Sequence, residues 1–115
     1  MHEAGLAIEI LEQAVAAARQ AGGPDARIES LRLRVGEFSG VDPEALRFAL
    51  EVMGRGGPAE GARVDLQVEP LVLSCACGAV AGSESLHQPC PACGSASRSV
   101  TAGRDLVLEG LEIAD

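Results

Sequence analysis

Four cysteines set as two short hooks, Cys75/Cys77 and Cys90/Cys93, constrain this chain more than any other feature. Twelve residues separate the hooks. A tetrahedral Zn²⁺ takes four thiolates, and two tight hooks on either side of a loop deliver them with little chain. Cys90-Pro91-Ala92-Cys93-Gly94 has the usual two-residue gap, whereas Cys75-Ala76-Cys77-Gly78 has only one residue between its cysteines. Gly78 and Gly94 follow the second cysteine of each hook, where the backbone must turn sharply and glycine accepts positive φ at little cost. The surrounding segment, about 71–100, is rich in Ser, Gly and Ala and short of apolar matter, so metal binding would have to supply its folding energy. Four protein ligands leave no open position for water, which makes zinc a brace and not a catalytic centre.

Other chemistries use the same residues. Disulfides belong to oxidising compartments, yet the N-terminus has no basic stretch and Glu3, Glu9 and Glu12 interrupt its apolar residues, unlike a secretory signal. A redox pair at Cys90/Cys93 should open a helix after a buried strand, and Gly94-Ser95-Ala96-Ser97 starts a helix poorly. An iron–sulfur cluster also takes four thiolates, but paired hooks at this spacing favour zinc.

A chain of 115 residues fits one compact unit, and with two Phe and no Tyr or Trp its core must be aliphatic. The net charge of −8 and the lack of aromatic surface argue against nucleic acid as a partner. No apolar run approaches the roughly 18 residues of a membrane helix, so a soluble, cytoplasmic protein is expected.

Apolar periodicity predicts a helix over 4–20, with Leu6, Ala7, Ile10, Leu11, Ala14 and Val15 on one side, ended by Ala21-Gly22-Gly23-Pro24. Residues 28–35 alternate as a half-buried strand, Leu31, Leu33 and Val35 inward and Ser30, Arg32 and Arg34 outward. Asp42 caps a second helix with Pro43 at its first position, and its apolar stripe is Leu46, Phe48, Ala49, Leu50 and Met53. A second strand covers 63–69 and a third 105–113, where Gly110 marks a change of apolar parity. The expected fold class is α+β: two helices on a three-stranded sheet with an inserted four-cysteine zinc-binding module. Residues 1–70 and 101–115 would form the first domain and 71–100 the module.

One of only two histidines is residue 2. A chain beginning Met1-His2 offers an α-amine, the His2 amide and the imidazole to one ion, with the Glu3 amide as a fourth in-plane nitrogen. Such a plane suits Ni²⁺ or Cu²⁺. The first amides of a helix have no intrahelical acceptor, so ligation there breaks no helix bond. Taken alone, though, an exposed terminal histidine is ordinarily just solvated. His87, three residues before Cys90, is expected to be a plain loop residue. No Ser/His/Asp arrangement or phosphate-binding glycine loop points to an enzyme.

The start Met1-His2-Glu3, the segments Leu33-Arg34-Val35-Gly36-Glu37-Phe38-Ser39-Gly40-Val41 and Pro43-Glu44-Ala45-Leu46-Arg47-Phe48-Ala49, and two cysteine hooks before a terminal strand occur together. In this combination the chain resembles the HypA/HybF family of hydrogenase maturation factors, which are nickel-insertion accessory proteins. The resemblance implies nickel at Met1, His2 and Glu3 as transient cargo, and structural zinc at Cys75, Cys77, Cys90 and Cys93. It also implies work beside a HypB-like nickel-handling GTPase and delivery to the large subunit of [NiFe]-hydrogenase; some members also serve urease. The chain departs from the family in the single residue between its first two cysteines, where two are usual. The competing expectation is a zinc-ribbon adaptor that presents a docking surface and holds no second metal.

Overall fold

The protein is described by a computed structural model over residues 2–83 and 85–115. In chain order its elements are α1 (His2–Gly22), β1 (Ile28–Gly36), α2 (Pro43–Met53), β2 (Arg63–Glu69), β3 (Val72–Cys75), β4 (Val80–Gly82), β5 (Arg98–Ala102) and β6 (Leu106–Ile113). They fall into two compact units. One comprises the chain up to residue 34 with 42–67 and 107–115, and the other comprises 35–41 with 68–106.

The first unit holds the expected pair of helices and the three-stranded sheet, ordered β2-β1-β6 with β1 in the middle. α1 turns Ala7, Ile10, Ala14 and Ala18 inward at spacings of three and four and packs against α2. It ends where Gly23 takes φ +94° and donates its amide to the Arg19 carbonyl at 2.9 Å, a left-handed C-terminal cap. α2 starts as its sequence requires. Asp42 is extended, its carboxylate accepts the amides of Glu44 (3.0 Å) and Ala45 (3.3 Å), and Pro43 occupies the first turn. Leu11 of α1, Leu31 of β1, Leu50 of α2 and Val64 of β2 line one concavity, which Glu51, Arg55 and Glu60 share.

Two expectations need correction. Phe48 and Met53, placed in the apolar stripe of α2, are 66% and 44% exposed; Leu46, Ala49 and Leu50 carry its buried side. Ser30, placed outward on β1, is buried, and its hydroxyl donates to the Glu112 carboxylate of β6 at 2.7 Å. A serine that satisfies its hydroxyl across the sheet is no longer bound to face water. At Gly110 a Cβ would stand 2.7 Å from the Arg32 guanidinium, so the missing side chain gives that arginine room over β6.

The second unit contains a sheet that hydropathy did not reveal: β3 lies between β4 and β5 and pairs antiparallel with both. Its strands have four, three and five residues, too short and too small in side chain to show alternation. Leu71 and Leu73 are buried there, as is Val35 from the end of β1. Residues 36–38 are stitched into this unit by three amide-to-carbonyl bonds of 2.8 Å: Gly36 to Asp105, Glu37 to Glu69 and Phe38 to Gly103. Crowding along these bonds demands glycine twice. A Cβ on Gly36 would lie 2.5 Å from the Gly103 backbone, and one on Gly103, whose φ is +97°, 2.5 Å from the Leu71 Cα.

Candidate metal centre

Both hooks are backbone turns fastened to the small sheet. Cys75 ends β3; its amide donates to the Ala79 carbonyl and its own carbonyl accepts the Gly78 amide, each at 2.9 Å. The chain thus doubles back around Ala76 and Cys77 before β4. In the second hook the Gly94 amide donates to the Cys90 carbonyl (2.8 Å), and the Cys90 amide to the Ser95 carbonyl (2.9 Å). Gly78 and Gly94 take φ of +96° and +76°, as expected. A Cβ on either would meet no atom within 4 Å, so backbone angle alone calls for glycine.

These turns bring the four sulfurs together. The Sγ atoms of Cys75 and Cys93 are 3.5 Å apart, those of Cys77 and Cys90 3.8 Å, and all four lie within 4.8 Å of one another. A tetrahedral ion with metal–sulfur bonds of about 2.3 Å requires sulfurs about 3.8 Å apart. The donor set therefore fits a tetrathiolate ion, and the one-residue gap of the first hook does not keep either sulfur out. All four cysteines are free thiols, which sets the disulfide reading aside. Pro91–Cys93 forms a turn with no helix behind it, unlike a redox pair. His87 lies on an exposed turn and is not a member of the cluster.

Electrostatics divide the thiols. The backbone amides of Cys93 and Ala92 point at the Cys90 sulfur and lower its pKa to about 6. The Ser95 amide favours the Cys93 thiolate, but the crowding sulfurs of Cys75, Cys77 and Cys90 outweigh it and push Cys93 up to about 11. Three neighbouring sulfurs resist the accumulation of negative charge unless a cation joins them.

Arg98, which hydropathy did not single out, belongs to this neighbourhood. It is the Cα partner of Cys75 across the β3–β5 ladder, and its Nη1 donates to the carbonyls of Gln88 (2.8 Å) and Pro89 (3.4 Å), immediately ahead of Cys90. The one signal for it in the sequence is that no other charged residue occurs between Cys93 and Gly103.

The second set of expected ligands is at the chain start. Met1 lies outside the described residues. His2 begins α1 with its side chain 60% exposed, and its Nε2 is 3.4 Å from a Glu3 carboxylate oxygen. That same oxygen accepts the Asp42 amide at 3.4 Å, which links the first turn of α1 to the cap of α2. The amides of Glu3 itself and of Asp42 hold the Glu3 carboxyl below its ordinary value.

Four thiols poised around one cation-sized space, carried by a short α+β chain, define a small metal-binding protein. The family described as "Hydrogenase/urease nickel incorporation, metallochaperone, hypA" matches residues 1–113. Curated relatives agree. The chain is 34% identical to the hydrogenase maturation factor HypA of Methanopyrus kandleri, over 98% of this chain and 93% of that protein. It is 37% identical to that of a Roseiflexus species, over 100% and 94%. The chain belongs to the HypA family of nickel metallochaperones. Two solved structures share the fold. One is the solution structure of the Ni metallochaperone HypA from Helicobacter pylori (TM-score 0.69, 24% identity, 98% of this chain and 97% of that one). The other is described as the solution structure of HypA protein (TM-score 0.74, 23% identity, 99% and 97%).

Proposed function

We propose that this protein carries Ni²⁺ as cargo at its N-terminus for incorporation into hydrogenase or urease, while a resident Zn²⁺ braces the four-cysteine unit. What carries the nickel reading is His2, solvent-facing on the first turn of α1 beside the Glu3 carboxylate, in a chain of this family. The ligands would be the Met1 amine, the His2 amide and imidazole, and the Glu3 amide. Use of the Glu3 amide requires its own carboxylate to release that N–H. Copper would bind such a nitrogen plane more strongly than nickel, so selectivity lies in metal supply and in the docked acceptor.

Zinc is the natural occupant of the thiolate cluster: four sulfurs at tetrahedral spacing suit an ion with no redox chemistry and no demand for an open site. The protein holds and hands over an ion without making or breaking a covalent bond, so it acts as a carrier and not as an enzyme. In this reading residues 1–70 and 101–115 include the nickel-binding N-terminus, and 71–100 supply the zinc ligands within the second compact unit, which extends beyond them. The partners are a nickel-handling GTPase, the [NiFe]-hydrogenase large subunit and urease maturation proteins, all in the cytoplasm.

Equilibrium dialysis of untagged protein tests the proposal. One Ni²⁺ per chain is expected beyond zinc, lost in His2→Ala and lost again when residues are fused ahead of Met1, with zinc content unchanged. Equal nickel uptake by wild type and both altered proteins refutes the N-terminal site, and no uptake by any of the three favours a zinc-ribbon adaptor.

A further inference from the structure

Arg98 Nε is the one buried side-chain nitrogen or oxygen, among the described residues, without a hydrogen-bond partner. Burying an unpaired donor is costly, and so is burying part of a guanidinium away from any anion. The same side chain is otherwise well anchored, because its Nη1 holds the Gln88 and Pro89 carbonyls that lead into Cys90. Its backbone is equally fixed: Arg98 and Cys75 are direct partners in an antiparallel ladder. Such partners project from the same face of a sheet, with Cβ atoms about 5 Å apart. The orphaned Nε–H therefore starts from the face on which Cys75 presents its sulfur, and the rest of the guanidinium reaches the approach to the other hook.

We propose that Arg98 is a positioning residue of the metal centre: its Nη1 fixes the backbone entering Cys90, and its Nε–H donates to the metal-bound sulfur of Cys75. This rests on the reading that the four cysteines hold a divalent ion. Four thiolates around such an ion leave a net charge of −2, and a sulfur in that group is a far better acceptor than a neutral thiol. The donor left over among the protein's own groups thus meets the acceptor that metal loading creates. A lysine could restore the positive charge but not a rigid fork with one arm on the carbonyls and another on sulfur.

The test compares wild type, Arg98→Met and Arg98→Lys, each loaded with Zn²⁺ or with Co²⁺ as a spectroscopic substitute. In wild type, one ion per chain is the prerequisite; its absence sinks the parent reading and this inference together. With metal bound, Arg98→Met is expected to lose zinc to a chelator at least about tenfold faster, in line with the loss of other supporting hydrogen bonds around metal sites. Its sulfur-to-cobalt charge-transfer band should move to lower energy, because a thiolate that accepts no hydrogen bond gives up charge more readily. Arg98→Lys should recover part of the release rate but not the band position. An unmoved band in Arg98→Met, an unchanged release rate, or a lysine variant equal to wild type in both readouts overturns the proposal. Should Arg98→Met fail to fold, wild type loaded with a magnetically active cadmium isotope still decides. Splitting of the Arg98 Nε–H resonance by the metal supports the hydrogen bond, and an unsplit, rapidly exchanging resonance refutes it.

Discussion

Gly94→Ala tests whether the hooks bear on metal affinity through backbone angle alone. At φ +76° an L-residue costs about 1–2 kcal/mol. The new methyl group would meet nothing within 4 Å, so no steric repair is added to that cost. If the hook closes only around the ion, the whole penalty falls on binding, and zinc affinity drops about five- to thirtyfold. Competition with a chromophoric chelator measures this, and helical circular dichroism checks that α1 and α2 stay folded. Gly94→Asn should recover most of the loss, because asparagine tolerates the left-handed region. Affinity for Gly94→Ala within about twofold of wild type, or an asparagine variant as weak as the alanine one, refutes the reasoning.

Three further outcomes are expected. Asp42→Ala removes the acceptor for the Glu44 and Ala45 amides and should lower stability by about 1 kcal/mol, read from the denaturant midpoint. Leu33→Ala, at a fully buried position of the central strand, should cost about 2–5 kcal/mol by the same measurement, well beyond the Asp42 effect. For acid dependence, Cys90 with a pKa of about 6 is already ionised at neutral pH, whereas Cys93 at about 11 must surrender a proton to the entering ion. Metal affinity should therefore rise with pH through the neutral range with a slope below four protons per ion, and a full slope of four contradicts the division of the thiols.

Much of the fold was legible where local chemistry and burial agree. Asp42-Pro43 announces a helix start because the Asp42 carboxylate accepts the Glu44 and Ala45 amides, and a proline at the first position has no amide to leave unpaired. β1 is readable because Leu31, Leu33 and Val35 are all buried at alternate positions. Periodicity failed in two ways: Met53 keeps helical spacing with Ala49 and Leu50 yet sits exposed at the end of α2, whereas Phe48, two positions from both Leu46 and Leu50, lies on another face and only its apolar character placed it in the stripe. It failed again at β3, β4 and β5, which are too short to show side-chain alternation and of which β5 joins β3 only across the whole hook region. The cysteines were readable as a set of four, and the short first hook proved compatible with convergence because its turn is made from backbone bonds. Arg98 was not readable, since its importance arises from strand register.

The stitching of residues 36–38 to Glu69, Gly103 and Asp105 bears on how such a protein can be taken apart. The thiol-bearing stretch is no transferable cassette. A gene fragment cut from residue 71 to 100 would leave behind Val35, the backbone partners from Gly36 to Phe38, and the glycine whose bare Cα lets Leu71 pass. Recombination that transplants the hooks must carry with them a short peptide encoded ahead of α2 and β2.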